Sequence, residues 1–178
     1  MRASGGVATV ALAAVLGGSA CLPPLGGGTC PVAGSEPVSV PLDDLAGLRD
    51  ALEARFPTCF GGVVRTGPSS ADIYVVGSHA PVLVLAQQLM GPTFTIAMRA
   101  SDHALADVRA LKAQIDADAD ELHAAGIPTQ DTGIRMVAEG PRVLVGLWPY
   151  TQAGVTALEA RYGTGWMDIQ AYGPVEPG

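Results

Sequence analysis

An α+β fold made of two related halves is what this sequence predicts. Three observations carry that expectation: a β-β-α-β pattern written twice, a long helical stretch with an apolar stripe between the copies, and strands closed off by glycine. The expected architecture is a two-layer sandwich, with helices packed on an antiparallel-rich sheet. Copy one covers about 61–100, the linking helix about 102–125 and copy two about 132–173, within a single domain over 38–175. Whether the copies share one sheet or form two is open.

The chain starts with "MRASGGVATVALAAVLGGSA", in which Arg2 precedes an apolar run from Val7 to Leu16. That run is well short of the roughly 20 residues needed to span a bilayer, and small residues follow it. Residues 1–20 therefore have the layout of a secretory signal peptide. Cleavage after Ala20 suits an ordinary signal peptidase, with Gly18 and Ala20 small at the two key positions. It also suits release of Cys21 as a lipid-bearing first residue, the reading favoured by the tether-like residues that follow and by the cysteine count. Residues 21–37, "CLPPLGGGTCPVAGSEP", lack periodicity and are rich in proline and glycine, as a tether is.

The first helix reads "PLDDLAGLRDALEARF". Leu45, Leu48, Leu52 and Phe56 recur at helical spacing, acidic residues lie early, Pro41 suits the first turn and Pro57 stops the run. In each copy a short apolar strand leads to a Gly-Pro turn, Gly67-Pro68 or Gly140-Pro141, and then to a more apolar strand ending in Gly77 or Gly146. A short helix and an alternating strand follow. The inward sets of those last strands are expected to be Phe94, Ile96 and Met98, and Met167, Ile169 and Ala171. Between the copies Ser101 is the expected N-cap. Leu105, Val108, Leu111, Ile115, Ala119 and Leu122 form one stripe, closed by Gly126 and Pro128.

Composition removes some functions. The net charge is -7, and the ten basic residues are scattered, so no basic stripe is available to neutralise nucleic-acid phosphate. The acidity also argues against adsorption to anionic lipid by charge alone. There are three cysteines. If Cys21 carries lipid, Cys30 and Cys59 remain as an even pair for a disulfide; a buried Cys59 thiol is the other reading.

The residues that carry chemistry form no complete motif. His79 enters a helix in "GSHAP" as a ligand, a base or a polar turn residue. His103 and Asp107 share one helical face, and Asp116, Asp120 and His123 form another such group, but "DADADE" on a helix points its carboxylates in several directions. No Gly-x-Ser-x-Gly elbow, phosphate loop or dinucleotide fingerprint occurs. No catalytic, metal or cofactor residues are assigned. The aromatics of copy two offer the one candidate surface, with Trp148, Tyr150 and Trp166 as its expected members.

"GSAC" resembles the lipobox of bacterial lipoproteins, with Gly18 where that family has a large aliphatic residue. The stretch "RVLVGLWPYTQAGVTALEARYG…MDIQAYG" looks like a unit of uncharacterised exported bacterial proteins. Its β-α-β unit is similar to one in the prodomains of α-lytic-type serine proteases. The likeness implies an exported, lipid-anchored protein and a fold, but no activity. The leading expectation is a non-enzymatic domain in the cell envelope. Its partners would be the bilayer, through the lipid, and another exported protein; nucleic acid is excluded. Alternatives are a secreted soluble protein, a hydrolase or metal-dependent enzyme using His79 or the helix carboxylates, and a prodomain-like inhibitor.

Overall fold

The computed structural model describes residues 30–33 and 44–173. The signal segment 1–20, Cys21, the tether outside 30–33, and Pro41 lie outside the described residues. The elements run α1 (Leu45–Arg55), β1 (Phe60–Gly67), β2 (Ser70–Val75), α2 (Ala80–Met90), β3 (Thr95–Ala100), α3 (Leu105–Ala117), α4 (Ala119–Ala124), β4 (Thr129–Val137), β5 (Gly140–Leu147), α5 (Gln152–Tyr162) and β6 (Met167–Ala171). This is an α+β fold.

There are two three-stranded sheets, ordered β1-β2-β3 and β4-β5-β6. In each, a hairpin supplies an antiparallel ladder, β1 with β2 or β4 with β5, and a helix then carries the chain to a parallel partner, β3 or β6. Both sheets are therefore mixed. The helix is what makes the parallel pairing possible, because parallel neighbours need a long crossover.

Each sheet buries one face under its own helices. Phe60, Ile73 and Val75 meet Leu48, Leu52 and Phe56 of α1 with Val82, Ala86 and Leu89 of α2. Val143, Val145 and Leu147 meet Val108, Ile115, Leu122, Leu158 and Tyr162. The helix α3 belongs to both cores: Leu105 packs in the first, Val108 and Ile115 in the second. The opposite sheet faces are polar, with an Arg99–Asp72 pair at 2.9 Å on one and Arg135–Asp168 at 3.2 Å on the other.

Local chemistry explains the helix ends. The Asp44 carboxylate accepts from the Gly47 N–H at 2.8 Å, and Thr151 Oγ accepts from Gly154 N–H at 3.1 Å, so both helices start on capping side chains. Four expectations are corrected. Gly140-Pro141 is not the turn of the second hairpin: both residues open β5, and the turn is Ala138-Glu139. The single helix over about 102–125 is two, broken at Asp118, whose side chain turns to Arg161 and Tyr162 instead. Ser101 does not cap α3; Ala104 holds that position and Ser101 Oγ donates to the His103 carbonyl at 2.7 Å. Ala171 is exposed rather than inward, at the last position of the edge strand β6.

Cys30 and Cys59 form a disulfide, with Cα atoms 5.8 Å apart and 29 residues of separation. Closing a loop of that length stabilises the fold by roughly 3–4 kcal/mol in the chain-entropy model. The bridge is consistent with folding outside a reducing cytoplasm. Among the described residues no helix is long and apolar enough to cross a membrane.

The halves meet where Ser101 leaves β3. A Cβ on Gly61 would lie 2.6 Å from Ser101 Oγ, and one on Gly140 would overlap that oxygen while sitting at φ +110°. Gly140→Ala is therefore expected to lower stability by about 2–5 kcal/mol, as backbone strain and overpacking combine. Gly91→Ala, at φ +78° with open space around it, is expected to cost only the strain, about 1–2 kcal/mol. Urea unfolding of both variants checks the difference; equal losses would remove the packing argument.

Candidate functional site

The run Ser101-Asp102-His103 holds a hydroxyl, a carboxylate and an imidazole in sequence, and the backbone sends each to a different structural task. Ser101 is buried between the two glycines and bonds the chain two residues on. Asp102 accepts from Arg142 Nη2 at 2.7 Å, and its N–H donates to the Glu139 carbonyl at 3.0 Å. Arg142 is itself buried, with Nη1 donating to the Pro141 carbonyl at 3.2 Å. His103 stacks on Trp166, ring centroids 3.6 Å apart, with Nε2 3.1 Å from the Gly165 carbonyl. The three side chains pin β3, β5 and the approach to β6 together and form no proton relay.

The carboxylates of the helical "DADADE" stretch are also engaged. Asp116 accepts from Lys112 and from Thr132 of β4, and these bonds, Lys112 first, hold its carboxyl below the usual range. Asp118 accepts from Arg161 Nη2 at 2.9 Å and from Tyr162 Oη at 2.7 Å, and Glu121 accepts from the same guanidinium at 2.8 Å. Burial, then the Asp118 bond, raises the Tyr162 phenol well above its ordinary value. This network locks the α3–α4 break to the end of α5. Among the described residues no group of three His, Cys, Asp or Glu side chains is arranged to hold a metal. His79 stands at the start of α2, half-buried, and makes no capping bond. Cys59 is committed to Cys30.

The aromatics divide differently from the sequence expectation. Trp148 and Tyr150 follow the C-terminal end of β5 and are 50% and 46% exposed. Trp166 precedes β6, packs on the second core and stacks on His103. Since β5 and β6 are parallel, Trp166 lies at the far end of the strand, about 20 Å away by strand rise. The residue that joins the exposed pair is Tyr172, itself 50% exposed. The register sets Leu147 beside Ala171, so the next step sets Trp148 beside Tyr172. The Tyr172 N–H donates to the Leu147 carbonyl at 2.9 Å, which holds the two chain ends side by side.

Both rings lie on glycine. A Cβ on Gly146 would be 3.2 Å from the Tyr172 ring, and one on Gly173 would be 3.3 Å from the edge of Trp148. Asp131 lies across from Gly146 in the ladder and gives the patch an acidic side. Tyr172 is visible in the sequence as one of the aromatics of copy two, but its place in the surface beside Trp148 depends on the parallel register; only the shared spacing of "LW" and "AY" at the two strand ends hints at it.

No family model, curated protein or solved structure matches this chain.

Burial lowers the His103 pKa below its ordinary value, with Arg142 adding to the effect. The Gly165 carbonyl, Asp102 and Asp107 oppose it. The unfolded chain thus binds a proton at a higher pH than the folded one. Stability contributed by neutral His103 is full above about pH 6.5 and falls as pH drops through the folded value. His103→Phe keeps a ring on Trp166 without titrating, so the loss of stability between about pH 7 and 5 is expected to flatten in that variant. Denaturant midpoints across that range test it; an unchanged slope assigns the pH dependence elsewhere.

Proposed function

We propose that this chain is an exported, non-enzymatic binding domain, tethered to a membrane by a lipid on Cys21, which engages another exported protein through Trp148, Tyr150 and Tyr172. The observation that carries the reading is the aromatic patch: three large rings about half exposed, two of them, Trp148 and Tyr172, held side by side by strand register against glycines. Exposed aromatics on a rigid support bury large area at low entropic cost when a partner closes over them. The signal-like residues 1–20, the "GSAC" likeness and the Cys30–Cys59 bridge support export and the anchor.

His103 and three of the carboxylates fit the same reading. His103, Asp102, Asp116 and Asp118 each bond a different structural element, so their chemistry serves the fold. An enzyme reading asks instead for groups converging on one cleft.

Two measurements test this. Mature protein is expected to partition into detergent, and Cys21→Ser to release it into buffer; unchanged partitioning removes the anchor. A photoreactive benzoylphenylalanine at position 150 is expected to give one discrete adduct in the envelope. Trp148→Ala should weaken that adduct by about 30-fold or more if the ring is a hot spot, with fold stability moving by under about 1 kcal/mol. Absence of any adduct overturns the surface.

A further inference from the structure

The helix α2 has an outer face that water does not explain. From Ile73 to Met98 the chain carries no Asp, Glu, Lys or Arg, although α2 lies on the molecular surface. Val82, Ala86 and Leu89 turn inward to the core. On the outer side Ala80 and Val84 sit one turn apart, and Val84 is 54% exposed. A surface helix of a soluble domain ordinarily turns charge outward, as α1 does with Arg49 and Asp50. The nearest polar groups on α2 are the neutral Gln87 and Gln88.

This face is enlarged by the tether. The Cys30–Cys59 bridge and the Ala33 N–H, donating to the Arg55 carbonyl at 2.9 Å, strap residues 30–33 beside the end of α1. Val32 is thereby set beside α2, 50% exposed. Val32, Arg55, Phe56, Pro81, Val84 and Leu85 line a shallow groove of about 430 Å3. Cys30 is only nine positions from Cys21, which bounds the span between them at about 30 Å even when extended.

We propose that this groove and the outer side of α2 form the face by which the domain rests on a lipid bilayer. The inference builds on the reading of Cys21 as the lipid-bearing residue. A lipid so close to the strapped segment brings the Val32–Val84 face to the membrane before any other. Valine, proline and leucine side chains there enter the interfacial region, and Arg55 meets lipid phosphate. The aromatic patch, carried by the other half of the molecule, stays available to a protein partner.

Tryptophan placed at position 84 reports the contact, in the full mature chain on phosphatidylcholine vesicles with brominated acyl chains. Val84→Trp is expected to be quenched by bromine at least about twofold beyond the wild-type signal of Trp148 and Trp166, and Ala80→Trp, one turn away, to repeat it. A chain that binds vesicles without added quenching at either position overturns the inference. A second arm separates it from the anchor: Cys21→Ser chains with an N-terminal histidine tag are held on nickel-chelating lipid in the same vesicles. Quenching there, with no binding of the untagged mature chain, sinks the anchor and leaves the face as a lipid contact. No quenching in the tagged chains sinks the face whatever the anchor does.

Discussion

The molecule depends on one crowded passage. The chain must leave β3 and reach α3 between β1 and β5, and it does so with Ser101 pressed against Gly61 and Gly140. No side chain larger than hydrogen fits at either glycine without displacing Ser101. Around that point Asp102 ties to the β4–β5 turn through Glu139 and to β5 through Arg142. Arg142 is buried, so its bonds to Asp102 and the Pro141 carbonyl are what make its charge tolerable there. Two small sheets, each marginal alone, become one body because this corner sets their relation and α3 then enters both cores.

The same corner accounts for the difference between the halves. In the first, the Ser101 N–H donates to the Val75 carbonyl at 2.9 Å; in the second, the Tyr172 N–H donates to Leu147 in the same way. These are equivalent ends of parallel strand pairs. The first is closed, since the chain runs on through the junction. In the second, the strand ends carry Trp148 and Tyr172, each 50% exposed. One half has therefore become the structural joint, and the other retains an available end.

Much of this was legible in the sequence. Strand and helix periodicity, glycine boundaries and the stripe from Leu105 to Leu122 carried the α+β class, since these are local signals. Cysteine parity pointed to Cys30–Cys59. What escaped was set by distant partners. The break at Asp118 comes from Arg161 and Tyr162, more than forty positions away. Ser101 reads as an N-cap by residue type, yet its burial between Gly61 and Gly140 decides its role. Trp166 and Tyr172 are both aromatic and flank the same strand, but the parallel register sends one to His103 and the other to Trp148. Residue type named the candidates; topology sorted them.

Charge use completes the account. Nine of the ten cations in the chain are arginine. Several of them link elements far apart in sequence: Arg109 with Glu53 of α1, Arg135 with Asp168 of β6, Arg161 with Asp118 and Glu121. Exposed pairs of this kind contribute about 0–1 kcal/mol, too little to hold the fold. Their value is geometric, since a planar guanidinium accepts only certain approaches and so favours one docking of helix on sheet. Assigning arginines to these links leaves an acidic excess over the rest of the surface, and the uncharged stretch Ile73–Met98 stands apart from it. Charge is thus arranged as fasteners between elements, while α2 and the ends of β5 and β6 keep apolar surface where the fold itself has no use for it.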